Sequence, residues 1–170
     1  MTSSDNKPWY KGYVSVINSD SKMLRSITVL KNEKTLNKFM ERKPVVYVAS
    51  HIRFIEFWHK LRASGVTISS TWIDDVPDRE DKEAILKLWV NCFEEIRQSD
   101  MVLVGAENED RFKGVLVEIG AALVLDKPVY LIGENNNMGD IYNHPLFHQV
   151  SSPEEATTHF VEKYCSKQSV

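Results

Sequence analysis

From residue 44 onward, short apolar runs rich in β-branched residues alternate with stretches of helical periodicity, and no other feature constrains the fold as tightly. Residues 44–49 (PVVYVA) read as a buried strand. Residues 52–63 follow as a helix with Phe54, Trp58 and Leu61 on one face and Gly65 closing it. Residues 66–72 return as a second strand, and the acidic loop 74–81 leads into a long helix. In that helix Ile85, Leu88, Trp89, Cys92, Phe93 and Ile96 recur at i, i+3, i+4, i+7, i+8 and i+11, one continuous apolar stripe. A strand over 100–104, a polar loop over 105–113, a helix over 114–124 and a strand over 128–132 come next. An Asn-rich loop and a short segment near 147–150 precede a last helix, which Ser152 caps, with Pro153 at its first position and Glu155 reaching back. Strands that are apolar on both sides, alternating with amphipathic helices, predict a parallel sheet covered on both faces.

Crossovers between parallel strands are right-handed, and ligands collect beyond the strands' carboxyl ends, where strand order reverses. The loops after Ala49, Thr71, Val104 and Ile132 therefore share one rim. That rim gathers Ser50, His51, Arg53, Trp72, Asp74, Asp75, Glu107, Asn108, Lys113 and Glu118.

The first 43 residues do not follow this pattern. Residues 1–9 are polar; 13–17 and 26–30 carry β-branched residues on either side of a turn-rich stretch and predict a small β-hairpin appendage. Residues 35–42 predict a short helix ending before Pro44. We divide the chain into an extension, 1–43, and an α/β domain, 44–170. With 170 residues, 42% hydrophobic and 26% charged, the chain has the composition of an ordinary globular protein. A formal charge of −3 gives no argument for a nucleic-acid or membrane partner. Residues 1–44 hold nine Lys/Arg against four Asp/Glu, and the remainder twelve against twenty. That basic piece is read either as a solvated face or as a dock for a phosphate-rich partner. Cys92 and Cys165 lie 73 residues apart with no CxxC spacing, which predicts free thiols and a reducing compartment. With no apolar leader after Met1 and no apolar run near 18 residues, the expected location is the cytoplasm.

Familiar cofactor motifs are absent: no loop matches GxGxxG or GxxxxGK[ST], and there is no GxSxG or HExxH. His144 and His148 are four apart, but Pro145 interrupts the helical face a metal site would use. The residue that stands out is Glu118, the only charge in GVLVEIGAALV (114–124). A carboxylate among Val117, Ile119, Ala121, Ala122 and Leu123 is costly to desolvate, and such groups are kept where chemistry or a tight hydrogen-bond network uses them. The plain alternative is a first-turn acid favoured by the helix dipole, a benefit that fades one turn in. Ser50, His51 and Arg53 suit a phosphate, or form an ordinary cap with a surface Arg. Trp72 with Asp74 and Asp75 suits a base, or covers the rim. Asp100 opens a buried strand as a structural acceptor or as a participant in the chemistry.

Ser99, Asp100 and the strand to Val104, then Gly114-x-x-x-Glu118-x-Gly120-x-Ala122, then Lys127-Pro128-Val129, resemble the nucleoside 2-deoxyribosyltransferase-like superfamily, which includes the deoxynucleoside 5′-monophosphate N-glycosidases. The likeness is strongest over 99–132 and extends by element order over 44–165. It implies a flavodoxin-like, Rossmann-like α/β sheet and cleavage of a nucleoside's N-glycosidic bond, by a hydrolase or a transferase. Glu118 becomes the counterpart of the family glutamate that attacks or stabilises the anomeric carbon. The resemblance also implies a small nucleoside or nucleotide as partner, no cofactor and no metal, and a homodimer or larger assembly with sites completed across an interface.

Two positions depart from the family pattern. Cys92 stands where an Asp is frequent, eight residues before Asp100, and Phe112 stands where an Asp or Ser is frequent, six before Glu118. The acid for the leaving base then falls to Glu94, Glu95, Asp74 or Asp75, with the rim residues Asp74 and Asp75 preferred. Lys113 beside Gly114 offers phosphate binding, which favours a nucleotide. The expected catalytic set is Glu118, Asp74 and Asp75, and the substrate-binding set Ser50, His51, Arg53, Trp72, Asp100, Lys113 and Gly114. The competing readings are a nucleotide sensor or sequestering protein without turnover, and a protein-interaction module docked through the N-terminal hairpin.

Overall fold

The computed structural model of the chain describes residues 43–165, so the hairpin and short helix expected within 1–42 lie outside the described residues. Among the described residues there are five strands: β1 (Val45–Ser50), β2 (Thr67–Ile68), β3 (Met101–Ala106), β4 (Val129–Gly133) and β5 (Phe147–Val150). Four α-helices alternate with them: α1 (Ile55–Ala63), α2 (Lys82–Gln98), α3 (Gly114–Val124) and α4 (Pro153–Phe160). Every pairing is parallel and the order is β2-β1-β3-β4-β5. This is the α/β, flavodoxin-like arrangement expected, and the order reverses between β1 and β3, which opens the ligand crevice there.

The central strands contribute the core. Val46 through Ala49, Met101 through Val104 and Val129 through Ile132 are all buried, as strands covered on both faces must be. Helix ends follow the sequence closely. Asp81 caps α2 by accepting from the Ala84 N–H at 3.0 Å, and Ser152 caps α4 by accepting from Glu155 N–H at 3.2 Å. Glu155 reaches back one residue further than a capping box requires, accepting from the Ser151 N–H and hydroxyl at 2.8 and 2.6 Å. Gly65 leaves α1 at φ 101°, a left-handed conformation that a Cβ would strain.

The second strand is much shorter than its sequence predicts. Residues 66–72 read as strand, but only Thr67 and Ile68 pair with β1. Beyond them side chains do the work of a backbone partner. Ser70 Oγ accepts from the Val48 N–H at 2.7 Å, and Trp72 Nε1 donates to the Val48 carbonyl at 2.8 Å. Left unpaired, such buried backbone groups cost about 1–3 kcal/mol each. Two further differences are local. The segment after β1 begins as a 3₁₀ turn (Ile52–Phe54) before α1 proper, and the Asn-rich loop holds a second 3₁₀ turn (Gly139–Asn143). Cys92 and Cys165 are not joined to each other by a disulfide, and no described helix is long and apolar enough to cross a membrane.

Candidate active site

The rim is built on a close approach between β1 and β3. Ser50, the last residue of β1, is in register with Gly105. A Cβ on Gly105 would lie 2.9 Å from the Trp58 ring and 3.5 Å from Phe54, so only glycine lets α1 settle against this strand end. Trp58 Nε1 in turn donates to Ser50 Oγ at 2.8 Å, fixing the serine at the crevice floor. His51, not Ser50, caps the following turn, its Nδ1 accepting from the Arg53 N–H at 3.3 Å.

Arg53 reaches across the rim to the loop after β3. Its guanidinium pairs with Glu107 Oε2 at 2.9 Å and Asp110 Oδ1 at 2.6 Å, over the ring of Phe54. Asp110 is buried, and its second oxygen accepts from the Glu107 N–H at 2.9 Å. The loop after β4 completes the brace: Asn135 Nδ2 donates to the Glu107 and Asp110 carbonyls at 2.9 and 2.8 Å, and Asn137 Nδ2 to Asp110 at 2.9 Å. Charge-assisted and backbone bonds from three loops thereby hold the segment leading into α3.

Glu118 sits one turn into α3 with 8% of its surface exposed. Its Oε1 accepts a hydrogen bond of 2.5 Å from the hydroxyl of Tyr47, a fully buried residue of β1. Burial pushes the carboxyl up to about 7, and the Tyr47 hydrogen bond opposes that rise by favouring the charged form. The Tyr47 phenol is driven far above its ordinary range, first by burial and then by the nearby carboxylate, so it stays protonated as a donor. Cys92 on α2 borders the same pair, its thiol pushed up to about 11, mainly by burial. Among the described residues, Glu118 is hydrogen-bonded through Oε1 alone.

The remaining predicted residues fall in different places. Lys113 and Gly114 stand at the entrance of α3, Lys113 exposed and Gly114 packed against Trp89, whose indole would lie 3.3 Å from an added Cβ. Asp74 is turned toward α1, where Arg62 Nη1 donates to its two oxygens at 2.8 and 2.9 Å, and Asp75 is exposed beside it. Trp72 is buried, its indole closing the β1 edge as described. Asp100 precedes β3 at the amino end of the sheet, opposite the rim, and its Oδ2 accepts from the Val45 N–H at 2.8 Å. The structure thus brings Glu118, Gly114 and Lys113 together on α3 and sets Ser50, His51 and Arg53 beside the adjoining loop. Trp72, Asp74 and Asp75 lie on the β2 side. Sequence reasoning missed Tyr47, Asp110 and Asn135. Tyr47 had a signal, the one polar side chain among the aliphatic residues 44–49; Asp110 and Asn135 sit in polar loops where nothing sets them apart.

No protein-family model matches the sequence, and no curated protein matches it. Among solved structures the chain is similar to a 2-deoxyribosyltransferase from the psychrotolerant bacterium Bacillus psychrosaccharolyticus, with 23% identity and a TM-score of 0.50 over 71% of this chain and 91% of that one. It also aligns with the CMP N-glycosidase BcmB of Clostridium botulinum, with 16% identity and a TM-score of 0.43 over 69% of this chain and 98% of that one. At the level of the fold, the resemblance read from the motif over 99–132 holds.

Proposed function

We propose that the chain acts on the N-glycosidic bond of a small nucleoside or nucleotide, with Glu118 as the nucleophile. The observation that carries this reading is the buried Glu118 carboxyl, held through Oε1 by Tyr47 beside the switch point of a parallel sheet. In the ionised form, Oε2 attacks the anomeric carbon while the C–N bond breaks and the base leaves with the bonding electrons, taking a proton. Water, or a second base, then opens the glycosyl ester and regenerates the carboxylate, giving hydrolysis or transfer respectively. The expected donors Asp74 and Asp75 stand on the β2 side, apart from Glu118, with Asp74 engaged by Arg62 of α1, so in this reading the leaving base takes its proton from water. Lys113, exposed at the head of α3, is the proposed phosphate contact.

Chromatographic assay of free base released from a panel of nucleosides and their 5′-monophosphates tests the reading. Glu118→Gln is expected to abolish release while unfolding stays cooperative, because the amide cannot act as a carboxylate nucleophile. Turnover equal to the parent would reject the assignment. A second reading, nucleotide binding without turnover, is favoured by Cys92, a protonated thiol where a second carboxylate would stand beside Tyr47 and Glu118. Thermal stabilisation by a nucleotide with no base released would select it.

A further inference from the structure

The apolar stripe that predicts α2 is buried only in its second half. Cys92 and Ile96 are buried, whereas Ile85, Leu88 and Trp89 are half-buried and Phe93 is exposed. Geometry accounts for the difference. The helix has 17 residues and β3 has six, roughly 25 Å against roughly 20 Å. It ends at Gln98, just before β3 starts at Met101, so its carboxyl end meets the strand's amino end. Its first turns therefore stand at the rim, where the sheet no longer lies fully beneath them.

Two helices place Trp89 relative to Glu118 independently. On α2, Trp89 is one turn ahead of Cys92, which borders the Tyr47–Glu118 pair; three residues rise about 4.5 Å toward the rim. On α3, an added Cβ at Gly114 would lie 3.3 Å from the Trp89 ring. Gly114 is itself one turn ahead of Glu118, about 6 Å toward the rim. The indole thus stands one turn rimward of the carboxyl. A nucleoside fits that spacing, because its base is joined directly to the anomeric carbon that Glu118 would attack.

Trp89 also differs from the other described tryptophans. Trp58 and Trp72 are buried, with their Nε1 atoms donating to Ser50 Oγ and to the Val48 carbonyl. Trp89 is half-buried: Phe93 lies against it, ring centroids 5.7 Å apart and planes 34° from parallel, and Gly114 meets its benzo edge. Its surroundings are apolar. Ile85 and Leu88 share the inward face of α2, Phe112 stands two residues before Gly114, and Cys92 is a protonated thiol. An aromatic ring among such groups holds a planar heterocycle by stacking and burial, without requiring a particular pattern of donors and acceptors.

We propose that Trp89 is the platform on which the base of the substrate stacks, and that the site sorts bases by ring area. Purines then bind ahead of pyrimidines, with adenine and guanine held alike. This rests on the N-glycosidic reading given above. The test uses the full chain carrying Glu118→Gln, so that the probes stay intact. Calorimetry, direct or by displacement, compares deoxyadenosine, deoxyguanosine and deoxycytidine 5′-monophosphates with 2-deoxyribose 5-phosphate, which has no base. Adding Trp89→Ala is expected to weaken both purine nucleotides about tenfold or more, the cytidine nucleotide less, and the sugar phosphate not at all. Trp89→Phe is expected to recover most of the loss. Equal losses for all four probes, as a structural role would give, or no loss for the purines, would overturn the proposal. Base release by the chain with Glu118 intact separates this inference from the cleavage reading. Binding that depends on Trp89 without any release keeps the stacking and removes the cleavage. Release with a KM indifferent to Trp89→Ala keeps the cleavage and removes the stacking. No binding of any probe rejects both.

Discussion

Removing one oxygen atom, in Tyr47→Phe, isolates the contribution of the hydrogen bond to Glu118. The phenyl ring preserves the packing of β1, but Oε1 loses its donor while the carboxyl stays buried. Tyr47 is what offsets burial at this carboxyl, which stands at about 7. A hydrogen bond to a charged group is worth about 1.5–3 kcal/mol. At about 1.4 kcal/mol per pH unit, its loss raises the carboxyl by roughly one to two units. At pH 7 the ionised fraction then falls from about half to roughly 1–10%. The pH dependence of kcat/KM gives the readout for an active chain, and carbon-13 NMR of labelled glutamate reports the same titration without turnover. The acid limb is expected to move up by one to two units, with the rate recovering toward the parent's at high pH. An unmoved limb, or a loss of equal size at every pH, would show that Tyr47 does not tune this carboxyl.

Further expectations test other parts of the molecule. His148, packed among Tyr130, His159, Lys163 and Tyr164, is lowered to about 4, first by burial and then by the charges of Lys163 and His159. A depressed pKa makes the neutral form the stabilising one, so its contribution is present above the unfolded value of about 6.5 and is lost as pH falls through about 4. His148→Gln is expected to flatten the loss of stability between those pH values, measured by denaturant unfolding; an identical slope would remove His148 from the account. Gly105→Ala drives a methyl to 2.9 Å from the Trp58 ring. It is expected to cost about 1–3 kcal/mol, seen as a lower Tm, whereas no change would show that the β1–β3 floor is not tightly packed. Lys113→Ala is expected to weaken nucleotides relative to the matching nucleosides by about 1.5–3 kcal/mol in calorimetry. Arg53→Ala, which strips the cationic partner from Oδ1 of buried Asp110, is expected to lower stability by about 1–3 kcal/mol instead. Equal losses of nucleoside and nucleotide binding on removing Lys113 would refute its phosphate role.

Much of the fold was legible because its elements are written in local periodicity. The stripe from Ile85 to Ile96 predicts α2, and the Ser152, Pro153 and Glu155 run predicts where α4 begins. Glu118 stood out for the same reason: a charge inside an apolar helix contradicts its surroundings, and the contradiction marks it as a candidate. What failed depended on distance. Residues 66–72 have strand chemistry, but whether they pair as backbone depends on what β1 offers, and Ser70 and Trp72 replaced the ladder with side chains. Tyr47 and Glu118 are 71 residues apart, and Arg53 and Asp110 are 57 apart. No local window contains both members of either pair. Asp100 shows the converse case: a carboxylate read beside a strand proved to lie at the end facing away from the rim.

The short second strand has a consequence for how this protein behaves in company. An open parallel sheet ends in rows of unpaired amide and carbonyl groups, which recruit further strands from other molecules. Here the outermost strand offers only two residues, and the next stretch of exposed ladder, at Val48, is already occupied by a serine hydroxyl and an indole. On this edge of the described sheet a passing extended chain finds only two residues to zip onto. Replacing Trp72 or Ser70 would therefore do more than loosen the domain: it would uncover an adhesive border, and the expected symptom is fibrous association before any loss of the core.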